Sequence, residues 1–441
     1  SGNNLITKLI LNSACNPSVY FKIFKKTNNM YNLIVLLMVC VVLCYGQPAN
    51  QLQVPVGNDT GLHYGLTEKI GNFSIEILFH TSKTLQDGQN FIMSPITVWS
   101  VLAVIAEGAS GYTRDEINNA LRLSPQNRDA TRSGFRNITQ WLQVNTGTVQ
   151  LAKINAIFVD KQRLPLQDFQ DNAKNFYQAE MVTLNFTDSE NAANLLNEAV
   201  SNITHGKIQN MVNPSYFQNT QMVLTSALYF KGQWSMPFNK SSTTKMPFYD
   251  SNGKKIGDVN MMYNRHTYPF SNIRELQARV IELPYGNENR LSMLIMLPNP
   301  GVSLEDMFSN FKKVNLDTFF EELRVSKEEY SDDEVDCFIP RFKIQSDIDL
   351  TDVLRSRMGI EELFDQSKAQ LPYMARTPMY VSKVVHKAEI EVTEEGTEAA
   401  GVTAAEFSNR IGVQFIRRIN LLLRLRTLDC PHAGFYNLCP Y

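Results

Sequence analysis

The sequence lacks the segments that mark several large classes of protein. The apolar run from Leu33 to Leu43 has eleven residues, which is too short for a helix that crosses a bilayer. No linker rich in proline, glycine or serine, no sustained block of like charge and no internal repeat divides the 441 residues. A formal net charge of -2 gives no indication of a nucleic-acid partner. These absences favour one interwoven globular unit without stable membrane insertion, although length alone suggests two or three domains.

Motifs of catalysis and metal binding are also missing. The 6 histidines show no His-Glu-x-x-His spacing, and the sequence has no Gly-x-Ser-x-Gly turn around a nucleophile. It has no glycine-rich loop of the kind that holds phosphates. We therefore predict that the protein is not an enzyme and uses no metal or organic cofactor.

Residues 1–46 are interpreted as a leader that contains a secretory signal peptide. The apolar run is followed by the small Gly46 and by polar residues from Gln47, which is typical of a cleaved signal, and Met30 is a plausible start. The alternative is a buried helix of the folded protein. The signal predicts a secreted, extracellular protein, in which residues 47–65 form an N-terminal segment before the folded domain.

Secretion agrees with six sequons for N-glycosylation, each with a non-proline residue before Ser or Thr. They lie at Asn58, Asn72, Asn137, Asn185, Asn202 and Asn239. Asn72 falls in a stretch where Ile70, Phe73, Ile77 and Leu78 recur at helical spacing, so local burial would hide it.

Removal of the leader leaves an odd number of cysteines, Cys337, Cys430 and Cys439. An odd number does not pair completely within one chain. Cys337 lies in an apolar strand pattern and is expected to be a buried thiol, whereas Cys430 and Cys439 are close enough in sequence to form a local bridge.

Residues 392–410 are the most unusual part of the chain, because they are rich in acidic and small residues and poor in large apolar ones. With a strand period of two, Thr397, Ala399, Gly401 and Thr403 share one face, and all four are small and uncharged. Such a face is able to enter a crowded interior, which predicts a loop that can become a strand. The alternative is an exposed, disordered connector.

This segment resembles the hinge of the serpins, serine protease inhibitors that act as suicide substrates. The hinge is formed here by Glu394, Glu395, Gly396, Thr397, Glu398, Ala399, Ala400, Gly401, Val402 and Thr403. Further serpin-like motifs follow the order of the family, at Asn90–Ile96, Gly108–Thr113, Tyr229–Trp234, Ile281–Tyr285 and Ile339–Ile344. The resemblance implies an α+β fold of three β-sheets and about nine helices, spanning residues 66–411 with a reactive-centre loop at 394–411.

The resemblance also implies the residues that carry the function. The spacing of the family leads from Glu394 to a reactive bond between Arg410 and Ile411, and an exposed arginine suits a trypsin-like serine protease as covalent partner. Ser94, Trp234 and His386 are expected to act as gate residues of the large sheet, with His386 bonded to Ser94. Ser226 stands where the family has an asparagine, so we expect one hydrogen bond of this gate to be shortened or lost.

The C-terminal residues 412–441 depart from the family, whose members continue with two apolar strands buried in a sheet. Their absence would leave unpaired strand edges, and Leu421, Leu423 and Leu425 offer only a partial substitute strand. Two alternatives to the inhibitor remain: a non-inhibitory carrier or storage protein, and, because of this tail, a variant that does not fold.

A polyanion partner is only weakly indicated. Arg122, Arg128, Arg132 and Arg136 lie within one stretch, but Asp129 interrupts it and few lysines reinforce it. A solvated helix face is the simpler interpretation.

Overall fold

The computed structural model describes residues 36–43, 60–86, 89–204, 206, 208–249, 254–287, 291–314, 316–330, 332–398 and 424–427. The described α-helices are α1 (Thr60–Ser82), α2 (Pro95–Gly108), α3 (Gly111–Leu121), α4 (Arg128–Trp141), α5 (Gln167–Tyr177), α6 (Ser189–Ile203), α7 (Leu304–Asn310), α8 (Leu316–Glu329) and α9 (Thr351–Ser356). None of the helices within these ranges is long and apolar enough to cross a membrane.

The described strands begin with an N-terminal one and end with a short one in the tail. They are β1 (Leu36–Leu43), β2 (Val144–Asn145), β3 (Val149–Asp160), β4 (Glu180–Leu184), β5 (Met222–Gln233), β6 (Thr244–Tyr249), β7 (Lys255–His266), β8 (Phe270–Ile273), β9 (Ala278–Tyr285), β10 (Leu291–Pro298), β11 (Val335–Pro340), β12 (Phe342–Asp349), β13 (Lys383–Val392), β14 (Gly396–Glu398) and β15 (Arg424–Thr427).

The strands form three sheets. The large sheet has the order β12-β13-β14-β5-β3-β2, with β4 paired to β3. A five-stranded sheet has the order β15-β1-β10-β9-β8, and a three-stranded sheet has the order β11-β7-β6. Three sheets and nine α-helices within the described residues agree with the α+β fold expected from the sequence.

Helix α2 lies at the centre of the core, and all of its residues are buried. The helix begins with Pro95, whose fixed φ suits the first helical position, directly after Ser94. The apolar pattern of α1 is also buried, since Ile70, Phe73 and Ile77 all belong to the main apolar cluster. Helix α2 supports one face of the large sheet at β3 and β5, and α1 packs against α2.

Helix α6 covers part of the other face of the large sheet. Its Ala192, Leu196 and Val200 form a second apolar cluster together with Val223 of β5 and Val385 of β13. The two neighbouring strands are therefore packed on both faces, so that any strand inserted between them enters a fully buried layer.

The apolar run of the proposed leader is a β-strand in this structure and not the helix considered as an alternative to a signal. Residues 36–40 of β1 pair antiparallel with residues 292–296 of β10, and β15 pairs parallel with β1. Strand β15 at Arg424–Thr427 includes Leu425 of the partial strand suggested for the tail, while Leu421 and Leu423 lie outside the described residues. β10 itself is almost entirely buried, so its edge needs an apolar partner.

Candidate functional site

The large sheet is forked at one end, and the hinge lies in the fork. Strand β14 sits between β13 and β5, with Val392 opposite Thr397 on one side and Gly232 opposite Thr397 on the other. Further along, β13 and β5 pair directly and parallel, from Lys383 with Val223 to Lys387 with Ala227. Residues 396–398 of the hinge therefore lie in the sheet, and the five direct pairs of β13 and β5 close it further along.

The hinge reverses direction in a tight turn between β13 and β14. The backbone N–H of Thr393 donates to the carbonyl of Gly396 at 2.9 Å, which closes the turn. A Cβ atom on residue 396 would lie 2.1 Å from the carbonyl oxygen of Gly232. Glycine is required here because the two backbones approach each other so closely.

Two glutamates fix the base of the hinge. Glu394 is buried, accepts a hydrogen bond of 2.8 Å from Thr243 and lies 3.9 Å from the Arg341 guanidinium. Glu395 is exposed and pairs with Lys240 at 2.6 Å, and this hydrogen bond lowers the pKa of Glu395. The exposed pair adds little stability because it is screened by water, whereas buried Glu394 ties the turn to the three-stranded sheet through Thr243.

An aromatic pair connects the hinge to the five-stranded sheet. Trp234 stacks on Tyr285 with ring centroids 4.5 Å apart, and its indole N–H donates to the carbonyl of Thr393 at 2.9 Å. The hydroxyls of Tyr285 and Thr397 are 2.5 Å apart, and Thr397 is buried. Trp234 therefore holds the turn, as expected of a gate residue, and Tyr285 anchors the first inward hinge side chain.

His386 lies within the direct pairing of β13 and β5, opposite Ser226. Its Nε2 accepts the backbone N–H of Ser94 at 2.9 Å, and its Nδ1 is 2.8 Å from the Ser226 hydroxyl. The histidine is buried, and this burial lowers its pKa to about 4. It is therefore neutral at physiological pH and links α2 to both strands.

Ser226 keeps a hydrogen bond to His386 although it is a serine where the family has an asparagine. A serine is shorter than an asparagine, but the Ser226 hydroxyl still reaches His386 at 2.8 Å because the two residues are direct cross-strand partners. The contact between His386 and Ser94 is present, with the backbone N–H of Ser94 as donor in place of the hydroxyl.

Several predicted site residues lie outside the described residues. These are Ala399, Ala400, Gly401, Val402 and Thr403 of the hinge, the reactive bond Arg410–Ile411, the sequon at Asn58, and the possible pair Cys430 and Cys439. Cys337 is described; its thiol is free and buried, as predicted, and burial raises its pKa to about 12.

The remaining sequons differ in accessibility. Asn239 and Asn202 are exposed, while Asn72, Asn137 and Asn185 are half-buried. Asn239 stands out because it lies in a loop, before a short 3-10 turn, and its hydroxyl partner Ser241 is exposed as well. A glycan at Asn239 would need no local repacking.

The arginines considered for polyanion binding are mostly engaged with carboxylates. Arg128 and Arg132 both pair with Glu107, a buried residue of α2, and Arg132 Nη2 lies 2.9 Å from its carboxylate. Arg122 pairs with Glu76 at 3.2 Å. These pairs satisfy most of the positive charge of the stretch, which agrees with a structural role for it.

Sequence reasoning missed Tyr285, Arg341 and Lys240 as partners of the hinge. Each is separated from the hinge by more than fifty residues of chain, so no local spacing connects them. The motif Ile281–Tyr285 contains this tyrosine, but no sequence pattern connects it to Thr397.

The comparisons with known protein sequences are consistent with one another. Residues 68–419 match a family model described as Serpin (serine protease inhibitor). The chain is 35% identical to Serpin B9 of Homo sapiens over 347 residues, covering 77% of this chain and 88% of that protein. It is 33% identical to the leukocyte elastase inhibitor of Equus caballus over 338 residues, covering 76% and 87%.

Solved structures show the same fold. Serpin48 of the insect Tenebrio molitor, described as highly specific, superposes with a TM-score of 0.64 at 26% identity, covering 81% of this chain and 92% of that one. Thyroxine-binding globulin in complex with thyroxine gives a TM-score of 0.66 at 24% identity, with the same coverage of 81% and 92%. The second likeness is evidence for the fold alone.

Proposed function

The chain belongs to the serpin family of serine protease inhibitors, and from that premise we propose that it traps a trypsin-like serine protease by cleavage at Arg410–Ile411 and insertion of its hinge. Its matched relatives include protease inhibitors, one of them named for elastase, so the family does not by itself select the trypsin class. Arg410 supports that class, because a trypsin-like primary pocket carries a carboxylate that binds arginine.

The observation that carries the proposal is the register of β14. Gly396 faces Gln233, Thr397 faces Gly232 and Glu398 faces Lys231. Each later hinge residue would therefore face the residue one position earlier in β5. Continued in this way, Arg410 would arrive opposite Asn219, three positions beyond the start of β5 at Met222. The hinge up to Arg410 thus has the length of the sheet.

The register of β14 with β13, its neighbour on the other side, leads to the same end of the sheet. Glu398 faces Glu391 and Thr397 faces Val392, so Arg410 would arrive opposite Met379 of the segment before β13. Asn219 and the neighbour of Met379 are in contact, since the hydroxyl of Tyr380 donates to the carbonyl of Asn219 at 3.4 Å. An inserted strand that kept both registers would bring Arg410 to the same end of the sheet on both sides.

Cleavage at Arg417 or Arg418 fits less well. Arg417 lies seven residues after Arg410, and a strand of that extra length would project about 23 Å past the end of the sheet. An inserted segment that ended at Arg410 would instead end within three positions of the start of β5. The register therefore favours Arg410 over the other basic positions.

The covalent step belongs to the protease. Its serine Oγ attacks the Arg410 carbonyl, the C–N bond to Ile411 breaks, and the Ile411 amine leaves with the proton passed on by the protease histidine. An ester then joins the two proteins until water hydrolyses it. Insertion that pulls on this ester and displaces the catalytic groups by about 1 Å would slow hydrolysis roughly 100-fold or more.

Insertion must open the five direct pairs between β13 and β5. Residues 399–401 would face Phe230, Tyr229 and Leu228 before the first of those pairs, Lys387 with Ala227, is reached. From Lys387 and Ala227 onward, each inserted residue separates one directly paired couple of β13 and β5 residues. The inserted residue then pairs with β13 on one side and with β5 on the other. The exchange gains backbone hydrogen bonds and apolar burial, which supports spontaneous insertion once the loop is cut.

We also propose that the protein is secreted, with glycosylation at some of its sequons. The support is the signal-like pattern around Leu33 to Leu43 and the exposure of Asn239. The pairing of Leu36–Leu43 with β10 is the competing arrangement for the same residues. Mass spectrometry of the N-terminus of the exported protein decides between them.

The experiment that tests the inhibitor is incubation of the purified protein with trypsin. We expect a covalent complex that survives denaturing electrophoresis and a released peptide that begins at Ile411. Arg410→Ala should reduce the rate of complex formation at least 100-fold, because the primary pocket loses its charged partner. The matched control Arg418→Ala, a basic residue outside the proposed reactive bond, should react like the unaltered protein.

Other outcomes separate the remaining readings. Complex formation that depends on Arg418 and not on Arg410 would refute the register. Cleavage at Arg410 without a complex would favour a non-inhibitory carrier, and rapid cutting throughout the chain would indicate that this C-terminal tail does not support the fold.

A further inference from the structure

Strand β3 carries two polar side chains on the face that it turns towards the core. Lys153 and Asn155 lie on this face, and its other residues all belong to the main apolar cluster: Val149, Leu151, Ile157 and Val159. The amine of Lys153 and the amide oxygen of Asn155 are buried, and neither has a hydrogen-bond partner among the described residues. Buried polar atoms without partners are rare, so these two mark an unusual place in the core.

Both residues line one small cavity between the large sheet and two helices. Its other walls include Ser100 of α2, Phe135 of α4 and Leu228 of β5, which is the direct cross-strand neighbour of Lys153. The volume is about 10 Å³, which is room for one water molecule. The Lys153 amine is therefore sealed in a space too small for bulk water, although the residue as a whole is only half-buried.

No counter-charge accompanies this amine within the described part of the chain. Lys153 is the only ionisable residue among those that line the cavity. Glu107 of α2 is engaged with Arg128 and Arg132 of α4. The other titratable side chains of the surrounding elements lie on exposed or opposite faces: Asp129 and Arg136 of α4, Asp160 of β3, and Tyr229 and Lys231 of β5.

The Phe135 ring gives the amine little compensation. Its centre lies 5.5 Å from Lys153 Nζ, where a cation–π contact is weak beside the cost of a buried charge. Burial therefore lowers the pKa of Lys153 from an ordinary value of 10.5 to about 7. In the closed sheet the amine is thus largely neutral above pH 7.

Opening of the large sheet would disturb the contacts around this cavity. β3 pairs with β5 along residues 149–159, so the two strands are expected to move together. Helix α2 is bonded to both sides of the opening, because Ser100 accepts the Nδ2 of Asn155 at 2.8 Å and the N–H of Ser94 donates to His386 on β13. An inserted strand would widen the spacing of β13 and β5 from about 4.8 Å to about 9.6 Å. A rigid helix does not follow both sides of such a movement, so β3 and β5 must shift on α2.

We infer that Lys153 makes the opening of the large sheet sensitive to pH, because its amine is sealed in the closed sheet and released to water when β3 and β5 shift. This inference rests on the insertion step of the proposed function. The released amine regains its ordinary basicity, so the open sheet binds a proton more strongly than the closed sheet does. Protons therefore favour the open sheet, increasingly as the pH falls from 10.5 towards 7 and no further below that.

The test measures opening of the sheet without a protease. An acetylated peptide with the sequence of residues 399–410, labelled at its C-terminus with tetramethylrhodamine, is added to the full chain. Its uptake is followed by fluorescence anisotropy at pH 6.5 and at pH 9. The peptide corresponds to the positions that follow β14 in the sheet. His386, whose pKa is about 4, stays neutral over this range and adds no signal of its own.

We expect the unaltered protein to take up the peptide at least tenfold faster at pH 6.5 than at pH 9. Lys153→Met keeps an unbranched side chain without the amine, and its two uptake rates should agree within about twofold. The matched control Lys161→Met removes an exposed lysine just after β3 and should keep the pH dependence of the unaltered protein.

Three results would overturn the inference: equal uptake rates at both pH values, no uptake at either, or a pH dependence that survives Lys153→Met. The trypsin complex is assayed separately, on the chain's own loop and at one pH. A protein that takes up the peptide in the expected way but forms no complex would keep the inference and refute the proposed function.

Chemical labelling of lysines reports the release of the amine directly. In the free protein at pH 8, acetic anhydride should acetylate Lys153 at least tenfold more slowly than exposed Lys161, because the reagent reaches only amines in contact with water. After uptake of the peptide, Lys153 should react several-fold faster and Lys161 at its earlier rate. Unchanged labelling of Lys153 would show that the amine stays sealed, and would overturn the inference.

Discussion

At the scale of single residues, His386 is a group whose ionisation the fold controls through burial. Its Nε2 accepts a hydrogen bond from the Ser94 backbone, and protonation of that nitrogen would remove the acceptor. The folded pKa of about 4 lies below the ordinary value of 6.5. The neutral form therefore stabilises the closed sheet above pH 6.5, and that contribution is lost as the pH falls from 6.5 towards 4.

We predict that the free energy of unfolding falls by about 2 kcal/mol between pH 8 and pH 5 through this one group. The measurement is urea unfolding at both pH values for the unaltered protein and for His386→Gln, whose pH dependence should be weaker by that amount. His266→Gln, at an exposed histidine, should keep the dependence of the unaltered protein. A His386→Gln variant with an unchanged pH dependence would show that His386 is not the titrating group.

The sequence predicted some of these residues well and others only in part. Strand alternation predicted the inward face of Thr397, because that pattern is local. The motif resemblance predicted the partnership of His386 with Ser94, which lie 292 residues apart. The Tyr285 hydroxyl was missed because its approach to Thr397 depends on how two sheets meet, and no local pattern records that.

At the scale of elements, the hinge is already a strand where the sequence predicted a loop that becomes one. Gly396–Glu398 pairs on both sides, so insertion begins from an existing register and not from a free loop. Amino-acid composition does not predict that residues 396–398 are paired, because this pairing depends on the separation of β13 and β5 at one end of the sheet. The next inward residue, Ala399, would enter beside Phe230 of the main apolar cluster.

We predict that Ala399→Arg converts the inhibitor into a substrate. A charged side chain on the inward face would have to be buried next to Phe230, which is strongly unfavourable. The fraction of encounters with trypsin that ends in complex should fall at least tenfold, with cleavage at Arg410 retained. The measurement is the molar ratio needed for full inhibition.

The control for this prediction is Glu398→Arg, an adjacent position on the opposite face of the strand that already carries a charge. It should form complex with nearly the efficiency of the unaltered protein. Equal loss in both variants would mean that the face of the strand does not decide insertion.

At the scale of the whole molecule, the sequence predicted the three sheets and nine helices through ordered motifs, but not the strand at Leu36–Leu43. An apolar run next to Gly46 has the pattern of a signal, and its place in a sheet is determined only by the open edge of β10, about 250 residues later. The tail strand β15 pairs with β1 and not with β10, but its direction is antiparallel to that of β10.

We predict that a chain starting at Gln47 is less stable than one starting at Met30. The shorter chain lacks the strand that covers β10, so it should unfold several degrees lower and bind more of a dye specific for exposed apolar surface. Thermal unfolding and dye fluorescence of the two chains provide the comparison. Identical behaviour would contradict the prediction and would indicate that β10 is covered by another strand, for which β15 is the nearest.

The five-stranded sheet joins the earliest and the latest parts of the described chain, residues 36–43 and 424–427, around strands from the middle. During synthesis β1 emerges long before β10 exists, and the sheet closes only after nearly the whole chain is made. For that interval the apolar segment is without its partner and open to capture by an export receptor. We propose that these eight residues become a signal if an export receptor binds them first, and a strand if β10 pairs with them first.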